Sequence, residues 1–380
     1  MTDRKIPISL PSTGAEEWES LREPLMTGWL TQGPKVAEFE RRFAERHGAP
    51  HALAATSCTT GLHLVLAAMG VGPGDEVVVP AFTWVSTANV VAYCGATPVL
   101  CDVDPVTFNI DPVAAAARVT PRTKAVIAVH LFGLCADMDA LRAALPAGMP
   151  IVEDCACAAG ATYKGRHAGT LGVAGVFSFH PRKAITTGEG GMVTTADAEL
   201  AATVDMLRNH GASVSEEVRH RGPQPWNLPE FNLLGFNYRM TDLQGAVGTV
   251  QLGKLDAFLA ERDELAAIYM DQLAGLPWLR LPARREGDQH AWQSFVTRVD
   301  PATAPASRNE IMAALAGRGV ATRPGTHAVH MLGHYARTYG HQPDDFPGAR
   351  DANDNSMAIP LHNRMSRDDC AYVVEVLKSL

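Results

Sequence analysis

The chain has 380 residues, 46% of them hydrophobic and 19% charged, with a mean hydropathy of −0.04. That much apolar side chain and that little charge exclude intrinsic disorder and fit a folded chain of two domains. A formal net charge of −8 offers no basic stripe for a phosphate backbone, so no nucleic-acid partner is expected.

The N-terminal stretch MTDRKIPISLPSTGAEEW is charged and lacks an apolar segment, so no signal peptide is expected. From about residue 50 to 195, short β-branched or apolar runs alternate with helical patterns, the rhythm of a layered α/β domain with a mostly parallel sheet. Seven strands are predicted, at 51–55, 76–79, 98–102, 125–130, 150–153, 176–178 and 192–195. Helices are predicted between them, such as 61–69 after a Thr-rich turn and 138–145 after Asp137. Residues 77–101 carry no charge, but Pro80, Gly95 and Pro98 interrupt them, so they read as strand, loop, buried helix and strand and not as a membrane span. Thr241-Asp-Leu-Gln244 has the form of a capping box, with Leu243, Val247 and Val250 following at helical spacing. Beyond about residue 253 the pattern becomes mixed, with a strand at 293–299 and a helix at 308–316. The division expected is therefore a large domain, 1–252, and a small one, 253–380.

Seven cysteines, at 58, 94, 101, 135, 155, 157 and 370, are an odd number lying mostly in apolar segments. They fit reduced core thiols of a cytoplasmic protein better than a disulfide framework. Cys155 and Cys157 lack the two-residue spacing of a zinc site and have no second pair, so no metal is expected.

Four features could carry chemistry. Lys183 lies in the polar loop FSFHPRKAITTGEGG (177–191) between two strands, where α/β sheets place ligands, although a solvated lysine alone would also explain it. Asp154 ends an apolar strand. A buried carboxylate needs a partner, for which a protonated pyridine nitrogen would serve; capping of the next helix is the other reading. The turn Thr56-Ser-Cys-Thr-Thr-Gly61 presents backbone N–H groups that suit either a phosphate or plain N-capping. Trp84, just past a strand, could stack on a planar ring or fill a core. Together, a lysine, a carboxylate, a phosphate turn and an aromatic plate are what pyridoxal 5′-phosphate (PLP) requires.

These residues lie in a chain that resembles the DegT/DnrJ/EryC1/StrS family, the sugar aminotransferases of the aspartate-aminotransferase (type I PLP) fold. The resemblance runs nearly end to end: Ile6-Pro-Ile-Ser-Leu, Thr27-Gly-Trp-Leu-Thr-Gln-Gly-Pro-Lys-Val-Ala-Glu-Phe39, Gly72-Pro-Gly-Asp-Glu-Val, Pro80-Ala-Phe-Thr-Trp-Val-Ser-Thr-Ala-Asn89, Gly95-Ala-Thr-Pro-Val, Asp102-Val-Asp and Gly235-Phe-Asn-Tyr-Arg-Met-Thr-Asp-Leu-Gln244, besides the segments around Asp154 and Lys183. It implies a three-layer α/β/α large domain, with a mixed, mostly parallel seven-stranded sheet, and a smaller C-terminal α+β domain.

Position by position, the resemblance implies that Lys183 bonds the cofactor covalently, Asp154 pairs with its ring nitrogen and Trp84 stacks on the ring. Ser178 and the Cys58-Thr59 turn would hold the phosphate. Asn237 would reach the phosphate of the neighbouring subunit's cofactor, implying a homodimer with shared active sites. Thr31, His180 and His330 are the substrate-side candidates.

Three departures stand out. Cys157 replaces the Gln or His that in relatives touches the cofactor's ring oxygen. Cys58 stands where Gly is commoner, which is harmless only if the backbone there has φ < 0. The stretch Arg323-Pro-Gly-Thr-His-Ala-Val-His330 lacks the Tyr-Pro-Pro of many relatives.

The activity implied is transfer of an amino group from glutamate to a keto sugar. His180 with Thr186–Gly191 resembles relatives that aminate C4 of nucleotide-linked 4-keto-6-deoxy sugars. The alternatives are a keto-cyclitol or 3-keto sugar as acceptor and, from another class, a non-catalytic PLP-fold regulator. Intact Lys183 and Asp154 speak against the regulator, and Lys183 speaks against the dehydrating branch, which has histidine there.

Overall fold

The seven predicted strands form one sheet in the computed structural model, which describes residues 4–214, 226 and 228–380. Across the sheet the order is His51–Ala55, Gly191–Thr195, Ala174–Ser178, Ile151–Asp154, Thr123–Val129, Glu76–Pro80 and Thr97–Cys101. Gly191–Thr195 alone runs against its neighbours; the other pairings are parallel. Both faces are covered, as a mainly parallel sheet requires. Successive strand residues enter opposite cores: Val77 and Val79 pack with Leu62, Leu66 and Phe82, while Val78 packs with Phe39, Val126 and Met192.

Helix Cys58–Ala68 begins three residues before the predicted start because a capping box sets it. Thr60 N donates to Ser57 Oγ at 3.1 Å, and Ser57 N donates to Thr60 Oγ1 at 2.9 Å. The uncharged stretch contains strands Glu76–Pro80, Phe82–Thr83 and Thr97–Cys101 and helix Ser86–Tyr93. Among the described residues no helix is long and apolar enough to cross a membrane.

The capping box at Thr241 opens a helix of 31 residues, Asp242–Gln272. Its Gly245 and Gly248 admit helix Pro34–His47: a Cβ at either would lie 2.7 Å from Val36 N or the Phe39 ring, respectively. Asp242 also caps that neighbour, accepting from Val36 N at 3.0 Å and Lys35 N at 3.1 Å. The long helix passes residue 253 unbroken. Leu255 and Leu259 pack under the large sheet, whereas Leu265, Ala266 and Tyr269 join a separate core with Phe295, Ile359 and Val373. That second core surrounds a three-stranded sheet of Leu279–Arg280, Phe295–Val299 and Ser356–Ile359, and it takes in Ile6 from the N-terminal segment. The two parts meet again where His327–Ala328 pairs with Phe82–Thr83.

One buried carboxylate ties the central strands to the following loop. Glu153 Oε1 accepts from Leu171 N (2.7 Å) and Gly172 N (2.6 Å), while Oε2 accepts from Gly169 N (2.9 Å) and His130 Nε2 (2.8 Å). His130 Nδ1 accepts from Ala136 N at 3.0 Å, so its proton sits on Nε2. Cys155 brings a third ligand-type atom to within 4.8 Å of these two, but the acceptors are already taken by N–H donors. Glu153→Gln replaces one accepting oxygen by an NH₂ that faces backbone donors. It should cost about 2–5 kcal/mol of stability, seen as a lowered denaturation midpoint with unchanged secondary structure.

Candidate active site

Three strands aim their carboxyl ends at one spot. Ile151–Asp154 delivers Asp154, Ala174–Ser178 delivers Ser178, and His51–Ala55 leads into the cap of helix Cys58–Ala68. Gly191, first in the antiparallel strand, lies opposite Ser178 and against the Ser57-Cys58 turn, where a Cβ would come within 2.4 Å of Ser57 C and O. Only glycine admits that approach.

Asp154 is 4% exposed. Its Oδ2 accepts from Thr87 Oγ1 at 2.8 Å and its Oδ1 from Ala156 N at 3.1 Å. Because Thr87 gives its proton to Asp154, the Thr83 hydroxyl 3.0 Å away donates to Thr87. Cys58 Sγ lies 3.8 Å from Asp154 Oδ1 and 3.4 Å from Val176 O. Burial, reinforced by the charge on Asp154, pushes the Cys58 thiol well above its ordinary pKa and keeps it neutral. Cys58 is not among the residues with positive φ, so the condition for tolerating cysteine there is met.

Lys183 stands in a loop pinned from within. Thr187 N and Thr186 Oγ1 both donate to Phe179 O (3.0 and 2.9 Å), and Thr186 N donates to Gln251 Oε1 at 3.1 Å. Buried Ala184 and Ile185 anchor the same loop. Lys183 Nζ reaches Cys157 Sγ at 3.4 Å. Lys183 thus contacts Cys157, three residues beyond Asp154, while Cys58 contacts Asp154 itself.

Trp84 is 55% exposed, with its ring 5.5 Å from that of His327 at an interplanar angle of 66°. His180, half-buried, shares the Lys183 loop: its carbonyl accepts from Lys183 N at 2.8 Å and its Nδ1 from Arg182 N at 3.2 Å. Burial pushes the His180 pKa down, so the ring is neutral at neutral pH. Thr59 lies in the first turn of its helix, whose leading N–H groups have no intrahelical acceptor. Thr31 and Asn237 are exposed. The structure does not bring His330 into the cluster: it is fully buried, with Nε2 3.1 Å from Pro343 O and its ring 4.9 Å from Phe346.

Sequence reading did not single out Thr87, Gly191 or Arg323. Thr87 had a signal, because it lies one helical turn beyond Thr83. The close approach at Gly191 depends on a turn more than 130 residues away and left none.

The residues present fit PLP. Asp154 is a buried carboxylate held by a hydroxyl and an N–H, with no cationic partner among the described residues. That leaves it able to accept from a protonated ring nitrogen. The capped helix start suits a phosphate, and Lys183 is the amine within reach.

The pattern of the DegT/DnrJ/EryC1/StrS aminotransferase family matches residues 11–378. The spore coat polysaccharide biosynthesis protein SpsC of Bacillus subtilis (strain 168) is 41% identical over 377 residues, covering 99% of this chain and 97% of its own. Among solved structures, the PLP form of the sugar aminotransferase Spr1654 from Streptococcus pneumoniae superposes with a TM-score of 0.90 at 30% identity, covering 99% and 98% of the two chains. DesI, solved with its TDP-sugar product, gives 0.87 at 32% identity, covering 100% of this chain and 93% of DesI.

Gly191→Ala should displace the Ser57-Cys58 turn and weaken PLP binding about tenfold or more, measured by absorbance titration of the cofactor-free protein.

Proposed function

The chain belongs to the DegT/DnrJ/EryC1/StrS aminotransferase family and is a PLP-dependent sugar aminotransferase, and on that premise we propose that it moves the amino group of glutamate to C4 of a nucleotide-linked 4-keto-6-deoxy sugar, as a cytoplasmic homodimer with shared active sites. The observation that carries the site assignment is that buried Asp154, without a cationic partner among the described residues, ends the strand beside the one that leads into the Lys183 loop, and that Lys183 Nζ contacts Cys157, three residues after Asp154. The nucleotide is supported by DesI, solved with a TDP-sugar, and C4 by the likeness of His180 and the 186–191 turn to C4-aminating relatives.

Bound PLP supplies an aldehyde to receive the amino group and a ring that spreads the negative charge left when the adjacent C–H proton departs. Asp154 would keep a proton on the ring nitrogen, and Thr87 and Ala156 N fix the carboxylate. Lys183 Nζ, when free, would take the proton from the donor's α-carbon and deliver one to the carbon of the keto sugar that receives the amino group. Cys157 Sγ contacts that amine, Trp84 would cover the ring, and Ser178 with the Cys58-Thr59 turn would hold the phosphate. Ping-pong kinetics follow.

The partner subunit is supported by unburied apolar side chains near the N-terminal helices and the 231–237 segment, including Met26 at 80% and Leu234 at 94% exposure. Exposed Asn237 lies in that segment, suited to the phosphate of the neighbouring site. Seven free cysteines suit a reducing compartment.

Lys183→Ala should lose the visible absorbance of covalently held PLP together with all turnover; a mutant that keeps both would refute its role. Asp154→Asn should retain cofactor at normal or reduced affinity and lose more than about 100-fold in kcat. Release of 2-oxoglutarate during amination of a panel of keto sugars tests donor and acceptor together.

A further inference from the structure

Arg323 is a half-buried guanidinium with nothing to hold. It makes no side-chain hydrogen bond or ion pair among the described residues, and its Nε is buried with no acceptor. Leaving such a group unpaired is costly unless a ligand completes it.

Its position is well fixed. The backbone pairs with strand Ser356–Ile359 through Arg323 N to Ala358 O (3.3 Å) and Ala358 N to Arg323 O (2.8 Å). Four residues later the same segment reaches His327, whose ring touches Trp84. Ala358 in turn pairs with Val296, three residues after Gln293, and Arg323 lies within electrostatic range of Arg182, Cys157 and His180. These groups belong to the Lys183 loop or touch Lys183 Nζ. Gln293 Nε2, from the same small sheet region, donates to Arg182 O at 3.0 Å and holds the loop against it. Burial and the nearby Arg182 both lower the Arg323 pKa, which is the signature of a cation short of an anion.

We propose that Arg323 is the binding residue for the α-carboxylate of the amino donor. The inference rests on the reading that the donor is an α-amino acid. In such a donor the carboxylate shares a carbon with the amino group that must reach the position of Lys183 Nζ. An anion site beside the Lys183–Cys157 contact therefore matches a carboxylate in reach. The diphosphate of a nucleotide sugar is attached a full sugar ring away from C4. The planar guanidinium fork can hold both carboxylate oxygens at once.

Glutarate, a dicarboxylate with no amine to transfer, isolates binding from chemistry. Calorimetry should show it binding the wild-type holoenzyme, at least about tenfold more weakly in Arg323→Gln and to an intermediate degree in Arg323→Lys, which keeps the charge and loses the fork. The KM for glutamate should rise by a similar factor in Arg323→Gln, with the KM for the keto sugar within about twofold of wild type. A wild-type protein that does not bind glutarate overturns the proposal whatever the variants do. So does an Arg323→Gln protein that binds glutarate normally, or one whose loss falls on the nucleotide sugar alone, which would assign Arg323 to the diphosphate. If glutarate binds through Arg323 but a different amino acid is the donor, the donor assignment fails and the carboxylate site stands.

Discussion

Two neighbouring carboxylates at the end of one central strand set the frame for the site. Glu153 and Asp154 point to opposite faces, as consecutive strand residues must. Both are buried, and each meets the cost of burial differently. Glu153 is saturated by three backbone N–H groups and His130, so it fixes the strand end and the 169–172 loop at once. Asp154 has a hydroxyl, one N–H and the Cys58 thiol at 3.8 Å but no cation among the described residues, which leaves it poised to accept from a cationic ring. The saturated carboxylate supplies the rigidity; the unsaturated one supplies the chemistry.

The remaining parts of the site are aimed by that frame. The single antiparallel strand carries the Lys183 loop back into the sheet between His51–Ala55 and Ala174–Ser178, and Gly191 allows it to dock on the Ser57-Cys58 turn. The long helix reads the loop from the other side through Gln251 and also holds helix Pro34–His47 by its glycines and Asp242. Lys183 is therefore held from three directions before any ligand arrives.

Much of this was legible in the sequence because it depends on local rules. The seven strands follow from β-branched runs between turn residues, and the Thr241 capping box forms as its spacing predicts. Family motifs singled out Lys183 and Asp154; the fold sets Lys183 against Cys157, three residues past Asp154, and Asp154 against Cys58. What was not legible is pairwise and long-range. Nothing local tells that Glu153, read only as part of an apolar strand, gathers four donors, or that the cap at residue 57 lies earlier than the apolar run suggests. Nor does composition tell that Arg323 Nε is buried without an acceptor while His330, seven residues on, turns into the core against Phe346.

The short pairing of His327–Ala328 with Phe82–Thr83 has a consequence for how such enzymes diversify. Here both parts of the chain meet, with Trp84 on one thread and His327 on the other. A chimaera that exchanged only the C-terminal third between two relatives would break this weave. Through this pairing, the geometry at residues 82–84 and at 327 and 328 is set jointly, so a change in one segment is felt in the other.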